Sequence, residues 1–243
     1  MPEVLLLQNT KIEGPGYLEE LLKNDGFEIT SINAKHDPII ERDYSLIVIL
    51  GASESANDDL PYLKAEQQLI KNYVEKQTPI LGLWLCSQLI AKTFGAKVYP
   101  GSRQEIGFYN DLKISNDSVF FSGFKNPFTV FHWHGDTFDL PAGSIRLASS
   151  EHYLNQAFKY KSAIGLQFHL EVNEEMVNLW LDNMEDELQK IPYIYPQKIR
   201  SDIEKNISTV KSNMKTFYNN FKSSFNLWSI FDEILQVLFF WLL

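Results

Sequence analysis

The sequence has a single cysteine in 243 residues and is poor in basic side chains. One cysteine excludes an intrachain disulfide and is typical of a reducing compartment, so we expect a cytoplasmic protein. Lysine and arginine total 22 against 31 aspartates and glutamates, which gives a formal net charge of −9. Because no basic patch is available to neutralise phosphates, we expect no nucleic-acid partner.

Long apolar runs are also missing. The N-terminal segment MPEVLLLQNT has no basic region before its apolar residues, which favours a strand over a signal peptide. The most apolar stretch, residues 227–243, is interrupted by Asp232, Glu233 and Gln236. Its uninterrupted part, residues 237–243, is far shorter than the roughly 20 residues that span a bilayer, so we expect no membrane span.

The same C-terminal stretch, residues 227–243, is predicted to form a helix that packs on the protein. Two alternatives stay open, namely a homodimer contact and binding at a membrane surface. The second alternative is disfavoured because the stretch carries no lysine or arginine on a polar face.

Short apolar runs alternate with helical periodicity along the first part of the chain. Strands are predicted at residues 4–8, 27–32, 45–51 and 79–83, and helices at 17–23, 63–74 and 87–94. This alternation is typical of parallel βαβ units, whose ligands bind at the carboxyl ends of the strands. We therefore predict an α/β, flavodoxin-like fold with a mainly parallel sheet and helices on both faces.

The second half of the chain has a different pattern of predicted strands and helices. Residues 97 to about 160 are rich in predicted strands, and a late strand is predicted at 163–169. Helices are predicted at 174–190 and 198–221, separated by Pro192 and Pro196. We predict one domain over residues 1–190 and a C-terminal helical extension over 191–243.

The segment 79–95, PILGLWLCSQLIAKTFG, joins an apolar strand to a helix through a tight turn. In α/β enzymes such a turn lifts one side chain to the sheet edge and needs small residues two positions before and after it. Gly82 meets the first need, which puts Trp84 at the tip and Cys86 two positions beyond. With Cys86 at the tip instead, its flanks would be Trp84 and Gln88, neither of them small. We therefore take Cys86 to be a packed residue away from the tip.

His169 and Glu171 form a second chemical motif, at the end of the late strand. Residues two apart in an extended chain project to the same side. The glutamate can then orient the imidazole, and the histidine can act as general base and acid. The alternative is a strand-end histidine beside a solvated glutamate.

In this order the two motifs resemble class I, triad-type glutamine amidotransferases, and in particular their GMP-synthase-type domains. The family's turn reads G-x-C-x-G-x-Q-L-hydrophobic-A. The matching positions are Gly82, Gln88, Leu89, Ile90 and Ala91. The resemblance implies that Trp84 replaces the nucleophilic cysteine, that His169 and Glu171 complete the triad, and that Gln88 contacts bound glutamine.

Residues 50–53, LGAS, resemble the family's glycine-glycine-proline loop. The resemblance implies that the backbone of Gly51 and Ala52, together with the N–H of Leu85, forms an oxyanion hole. A backbone donor tolerates alanine only where its φ and ψ suit a residue with a Cβ.

Two further segments resemble the family's glutamine pocket. Residues 105–107, EIG, imply a pocket role for Glu105, and residues 131–136, FHWHGD, resemble the family's H-G-D segment. The latter implies that His134, Gly135 and Asp136 hold the amino-acid end of the substrate. Structural loop histidines are the alternative for this segment.

The family hydrolyses the side-chain amide of glutamine through a cysteine thioester and passes ammonia to a synthetase. Tryptophan offers no nucleophile, so we expect a glutamine amidotransferase-like protein whose hydrolysis is impaired. The alternatives are a non-catalytic glutamine-binding or regulatory module and a γ-glutamyl peptide hydrolase. The expected partners are glutamine and a separate synthetase chain, since the S-G-G-x-D-S stretch of such synthetases is absent. We expect no cofactor and no metal.

Overall fold

The computed structural model describes residues 2–115 and 118–227. The strands of this part are β1 (Glu3–Leu7), β2 (Glu28–Ile32), β3 (Leu46–Ile49), β4 (Ile80–Leu83), β5 (Val98–Ile114), β6 (Phe128–Phe138), β7 (Ile145–Ser149), β8 (Ala157–Tyr160) and β9 (Ala163–Leu166). Its α-helices are α1 (Gly16–Asn24), α2 (Pro61–Glu75), α3 (Leu85–Thr93), α4 (Glu174–Leu188) and α5 (Pro196–Phe225). The predicted terminal helix at 227–243 lies outside the described residues except for its first position.

The strands form one nine-stranded sheet in the order β2-β1-β3-β4-β9-β8-β7-β5-β6. The first five strands run parallel to one another, in the flavodoxin-like order. The remaining neighbours pair antiparallel, and they are the strands predicted for the middle of the chain. The α/β prediction is therefore confirmed, with an antiparallel extension on one side of the parallel strands.

Helices cover both faces of the sheet because side chains of the parallel strands alternate between two cores. Leu5 and Leu7 pack in the core beneath α2 and α3. Val4 and Leu6 pack in the core that includes residues of α1, α4 and α5. In this second core Phe217 of α5 is fully buried. The region predicted as an extension thus shares the core of the α/β fold, and the boundary at residue 190 stays a prediction.

The late strand β9 ends at Leu166, three residues before the predicted end at His169. Beyond the end of β9, His169 forms an isolated antiparallel bridge with Phe131. The N–H of His169 donates to Phe131 O at 2.8 Å, and the N–H of Phe131 donates to His169 O at 3.1 Å. The histidine is therefore fixed against β6 after it has left the parallel ladder. Among the described helices, none has the length and apolar character that crossing a membrane requires.

Candidate functional site

Trp84 lies at the tip of the turn between β4 and α3. Its φ of 48° and ψ of −109° lie in a region that a bulky residue rarely adopts. Its N–H donates to Leu166 O at 2.7 Å, and its carbonyl accepts from Ser87 N at 2.9 Å and Ser87 Oγ at 2.6 Å. The strained tip is thus held between β9 and the first turn of α3.

Cys86 lies away from this tip. Its side chain is fully buried in the core beneath α2 and α3, whereas Trp84 packs against the core on the other face of the sheet. A Cβ built on Gly82 would stand 2.9 Å from Cys86 Sγ, so the sulfur packs against β4. Burial, with a smaller contribution from Glu66, raises the pKa of the Cys86 thiol well above its usual range. The thiol is therefore neutral and does not face His169.

His169 and Glu171 form a buried pair. Nδ1 of His169 is 2.6 Å from Glu171 Oε1, and Glu171 Oε2 accepts from the N–H of Leu170 at 3.0 Å. A carboxylate can only accept, so the pair places the proton on Nδ1 and leaves Nε2 as a base. Among the residues described, Nε2 has no hydrogen-bond partner. The ring lies 5.9 Å from the Trp84 ring and 4.9 Å from the Trp180 ring.

The Trp84 indole covers the loop that follows β3. A Cβ built on Gly51 would stand 2.3 Å from Trp84 Cε3 and 2.8 Å from Glu13 Oε2. Only a residue without a side chain fits beneath the ring. Ala52 is fully buried beside it, and Leu85 begins α3 next to the tip. Of the residues predicted to form an oxyanion hole, Gly51 therefore lies beneath the Trp84 ring, and Leu85 is the chain neighbour of Trp84.

A cavity of about 430 Å³ opens at this edge of the sheet. Its apolar wall is formed by Ile12, Trp84, Ile106, Trp133, Trp180, Met184, Leu188 and Ile191. Polar and backbone contributions come from Glu13, Ser53, Gln104, His134, Gly135, Glu187 and Lys190. Three indoles meet here, and the rings of Trp133 and Trp180 contact each other edge to face at 5.6 Å.

Glu13 is a site residue that sequence reasoning missed. It lies in the loop between β1 and α1, which Trp180 fixes by donating from Nε1 to Ile12 O at 2.7 Å. Burial raises the pKa of the Glu13 carboxyl to about 8, and the charge of Lys35 only partly opposes this. At neutral pH the side chain is mainly a neutral acid that can donate a hydrogen bond into the cavity. The signal in the sequence was its position in the loop that follows a strand ending at the ligand-binding edge.

The predicted substrate-binding residues do not all line the cavity. His134 and Gly135 do. The buried Gln88 donates from Nε2 to Gln167 Oε1 at 3.3 Å. Asp136 accepts from Ser55 Oγ at 3.2 Å.

The carboxylate of Glu105 lies apart from the cavity, buried beside the histidines of β6. His134 Nε2 is 3.1 Å from its Oε2, and His132 Nε2 is 3.6 Å away. Burial and the neighbouring His134 lower the pKa of His132 well below its usual range, so this imidazole is neutral.

Comparison with known proteins identifies the family. The family model described as "Glutamine amidotransferase class-I" matches residues 17–178. The chain belongs to this family. A glutamine amidotransferase from Thermotoga maritima has a crystal structure that superposes with a TM-score of 0.84 at 35% sequence identity, covering 90% of this chain and 97% of the other. A glutamine amidotransferase from Methylobacillus flagellatus gives a TM-score of 0.83 at 27% identity, covering 91% and 94%.

Curated proteins are also similar. YfeJ of Salmonella typhimurium, named as a glutamine amidotransferase-like protein, is 30% identical over 60% of this chain and 64% of its own length. A protein of Thermococcus kodakarensis, named as a glutamine-hydrolyzing GMP synthase component, is 37% identical over 43% of this chain and 56% of its own length. The chain thus spans less than two thirds of the length of either relative.

Proposed function

We propose that this chain is a class I amidotransferase-like binding module that does not hydrolyse glutamine. The proposal rests on one observation, namely where Trp84 and Cys86 lie at the turn. An indole stands at the tip beside His169, and the cysteine is buried beneath the opposite face of the sheet.

Amide hydrolysis in this family requires a thiol at the tip, a base that takes the proton of the thiol and gives it to the leaving nitrogen, which departs as ammonia, and donors for the oxyanion. The base is present, since Nε2 of His169 is unoccupied by any described side chain and Glu171 orients the ring. The nucleophile is missing, because an indole N–H only donates. His169 and Glu171 therefore have no covalent step to assist.

Glutamine binding should also be weak. A substrate amide aimed at the backbone of Gly51 and Ala52 would enter the space that the Trp84 ring occupies. Displacing the ring would expose apolar surface and would leave the strained backbone of the tip without its packed side chain.

The cavity that remains supports a binding role. It presents three indoles, a neutral carboxyl at Glu13 and the charged side chains of Glu187 and Lys190. Such a lining, apolar with a few convergent polar groups, is typical of small-molecule sites. The relatives named as GMP synthase components support a separate synthetase chain as partner, in which case the module would act on that partner through binding alone.

Steady-state release of glutamate from glutamine tests this proposal. The matched comparison is His169→Asn, which removes the base and keeps the size of the side chain. We expect the unchanged chain and the variant to give the same background rate, with and without a candidate synthetase. Turnover by the unchanged chain that His169→Asn abolishes would contradict the proposal.

A further inference from the structure

Glu105, His132 and His134 form a buried cluster beside the cavity, and of the three only His134 also lines that cavity. In the antiparallel pairing of β5 with β6, Glu105 lies opposite His134, and Gly107 lies opposite His132. His132 and His134 are two residues apart on β6, so both project from the face on which Glu105 lies. All three side chains are fully buried.

The distances from Glu105 to the two histidines are close to those between ligands of one metal ion. Oε2 of Glu105 is 3.6 Å from His132 Nε2 and 3.1 Å from His134 Nε2. Ligands about 2.0–2.1 Å from a tetrahedral zinc ion stand roughly 3.3–3.4 Å apart. One potential ligand atom from each residue lies within 4.8 Å of the other two. Both separations from Glu105 are therefore within a few tenths of an ångström of those around one zinc ion, and the two imidazole ligand atoms lie no more than 4.8 Å apart.

The ring nitrogens of the two histidines are not used elsewhere in the described part of the chain. There, neither nitrogen of His132 or His134 makes a hydrogen bond. His134 Nε2 and Glu105 Oε2, 3.1 Å apart, are close enough for a hydrogen bond but do not have the geometry of one. Buried polar atoms nearly always have a partner. The unpaired ring nitrogens around this carboxylate therefore indicate that a ligand binds there.

The carboxylate is held by residues from outside the two strands. Gln156 donates from Nε2 to Glu105 Oε2 at 2.8 Å, and Ser150 donates from Oγ to Glu105 Oε1 at 3.4 Å. Metal-binding carboxylates are commonly oriented by such outer hydrogen bonds. Gln156 and Ser150 thus fix Glu105 in the direction of the two imidazoles.

We propose that Glu105, His132 and His134 bind one divalent transition-metal ion, of which zinc fits the donor set best. Two imidazoles and one carboxylate form a recurrent zinc set that leaves a fourth position for water. The ion would balance the buried charge of Glu105 and brace β5 against β6 behind the cavity wall. Its role is structural, since none of the three residues contacts His169, Glu171 or Trp84 in the described ring contacts and hydrogen bonds. This site departs from the sequence-based expectation of no metal.

Metal content and spectroscopy of the full chain test the site. After purification without added metal, treatment with a chelator and dialysis, the protein is titrated with Zn²⁺ or Co²⁺. We expect one ion per chain, a higher melting temperature with metal, Co²⁺ absorption typical of four-coordination, and two imidazole ligands by X-ray absorption. Absence of a bound ion, or an ion with oxygen ligands alone, would overturn the proposal and leave a proton-sharing His–Glu–His network.

Variants assign the ligands. Gln156→Leu should weaken Zn²⁺ binding by about 10–100-fold through loss of the outer hydrogen bond, and Glu105→Gln should weaken it further. The matched control is His36→Ala, which removes an exposed histidine and should leave affinity unchanged. Equal affinity in Glu105→Gln and the unchanged chain would overturn the assignment. If Glu105→Gln does not fold, Gln156→Leu and the X-ray absorption of the unchanged chain decide.

Discussion

The indole of Trp84 rests directly on Gly51, so that a Cβ at residue 51 would stand 2.3 Å from Cε3 and 3.2 Å from Cζ3 of the ring. A separation below 3 Å cannot be accommodated without movement of one partner. The Trp84 side chain and the loop after β3 are therefore complementary in shape. Each restricts the size of the side chain that the other position can carry.

Gly51→Ala should lower the free energy of unfolding by about 1–3 kcal/mol, the usual cost of overpacking. In a Trp84→Cys background the same change should cost less, because the ring is gone and only the end of the Glu13 side chain, 2.8 Å away, has to shift. A double-mutant cycle by chemical denaturation measures this coupling. An equal loss in both backgrounds would mean that Trp84 does not occupy the space above Gly51.

Stability should decline between about pH 4.5 and pH 8 through the buried carboxyl of Glu66. Burial raises its pKa to about 8, against the smaller opposing effects of Asn9 and Lys35. The folded protein then holds a proton that the unfolded chain has already released, so stability is full below the unfolded pKa and is lost as pH rises toward 8. Glu13, with a pKa of about 8, contributes in the same direction.

Glu66→Gln should therefore reduce the decline in unfolding free energy between pH 5 and pH 8, by on the order of 2–4 kcal/mol. Urea denaturation at the two pH values measures this decline in the unchanged chain and in the variant. The matched control is Glu75→Gln, at an exposed position of the same helix α2, which should keep the full decline. If Glu66→Gln declines as steeply as the unchanged chain, the carboxylate of Glu66 is not desolvated.

Glu171→Gln should have no effect on glutamate release by the unchanged chain, because no nucleophile is present to assist. In a Trp84→Cys/Cys86→Gly background it should cut the rate by as much as about 10⁴-fold, since the amide no longer fixes the proton on Nδ1 of His169. The measurement is steady-state glutamate release in both backgrounds. An unaffected rate in the second background would show that the His169–Glu171 contact at 2.6 Å does not orient the base.

The parallel half of the fold could be predicted because each strand is a continuous apolar run. The sequence predicts a strand at 79–83 and β4 runs Ile80–Leu83, while it predicts a helix at 63–74 and α2 runs Pro61–Glu75. The end of β9 could not be predicted, because it depends on the bridge from His169 to Phe131, a contact between distant parts of the chain. Local periodicity carries no information about such a bridge.

The site was predictable to a similar degree. His169 and Glu171 could be paired from their spacing, and Trp84 could be placed at the tip from Gly82. The raised pKa of Glu13 could not be foreseen, since it follows from the burial of its side chain beside Gly51, in the loop after another strand. The approach of Glu105 to His132 and His134 depends on the register of β5 against β6, which strand patterns alone do not fix.

Glutamine hydrolysis by the Trp84→Cys/Cys86→Gly variant tests the central claim most directly. The double change puts a thiol beside Nε2 of His169 and returns a small residue after the tip, and Cys86→Ala in the unchanged chain is the control. We predict glutamate release at least about 100-fold above the unchanged chain, since a complete triad is worth on the order of 10⁶ in rate, and no effect of Cys86→Ala. A robust activity of the unchanged chain that Cys86→Ala abolishes would make Cys86 the nucleophile and contradict the account.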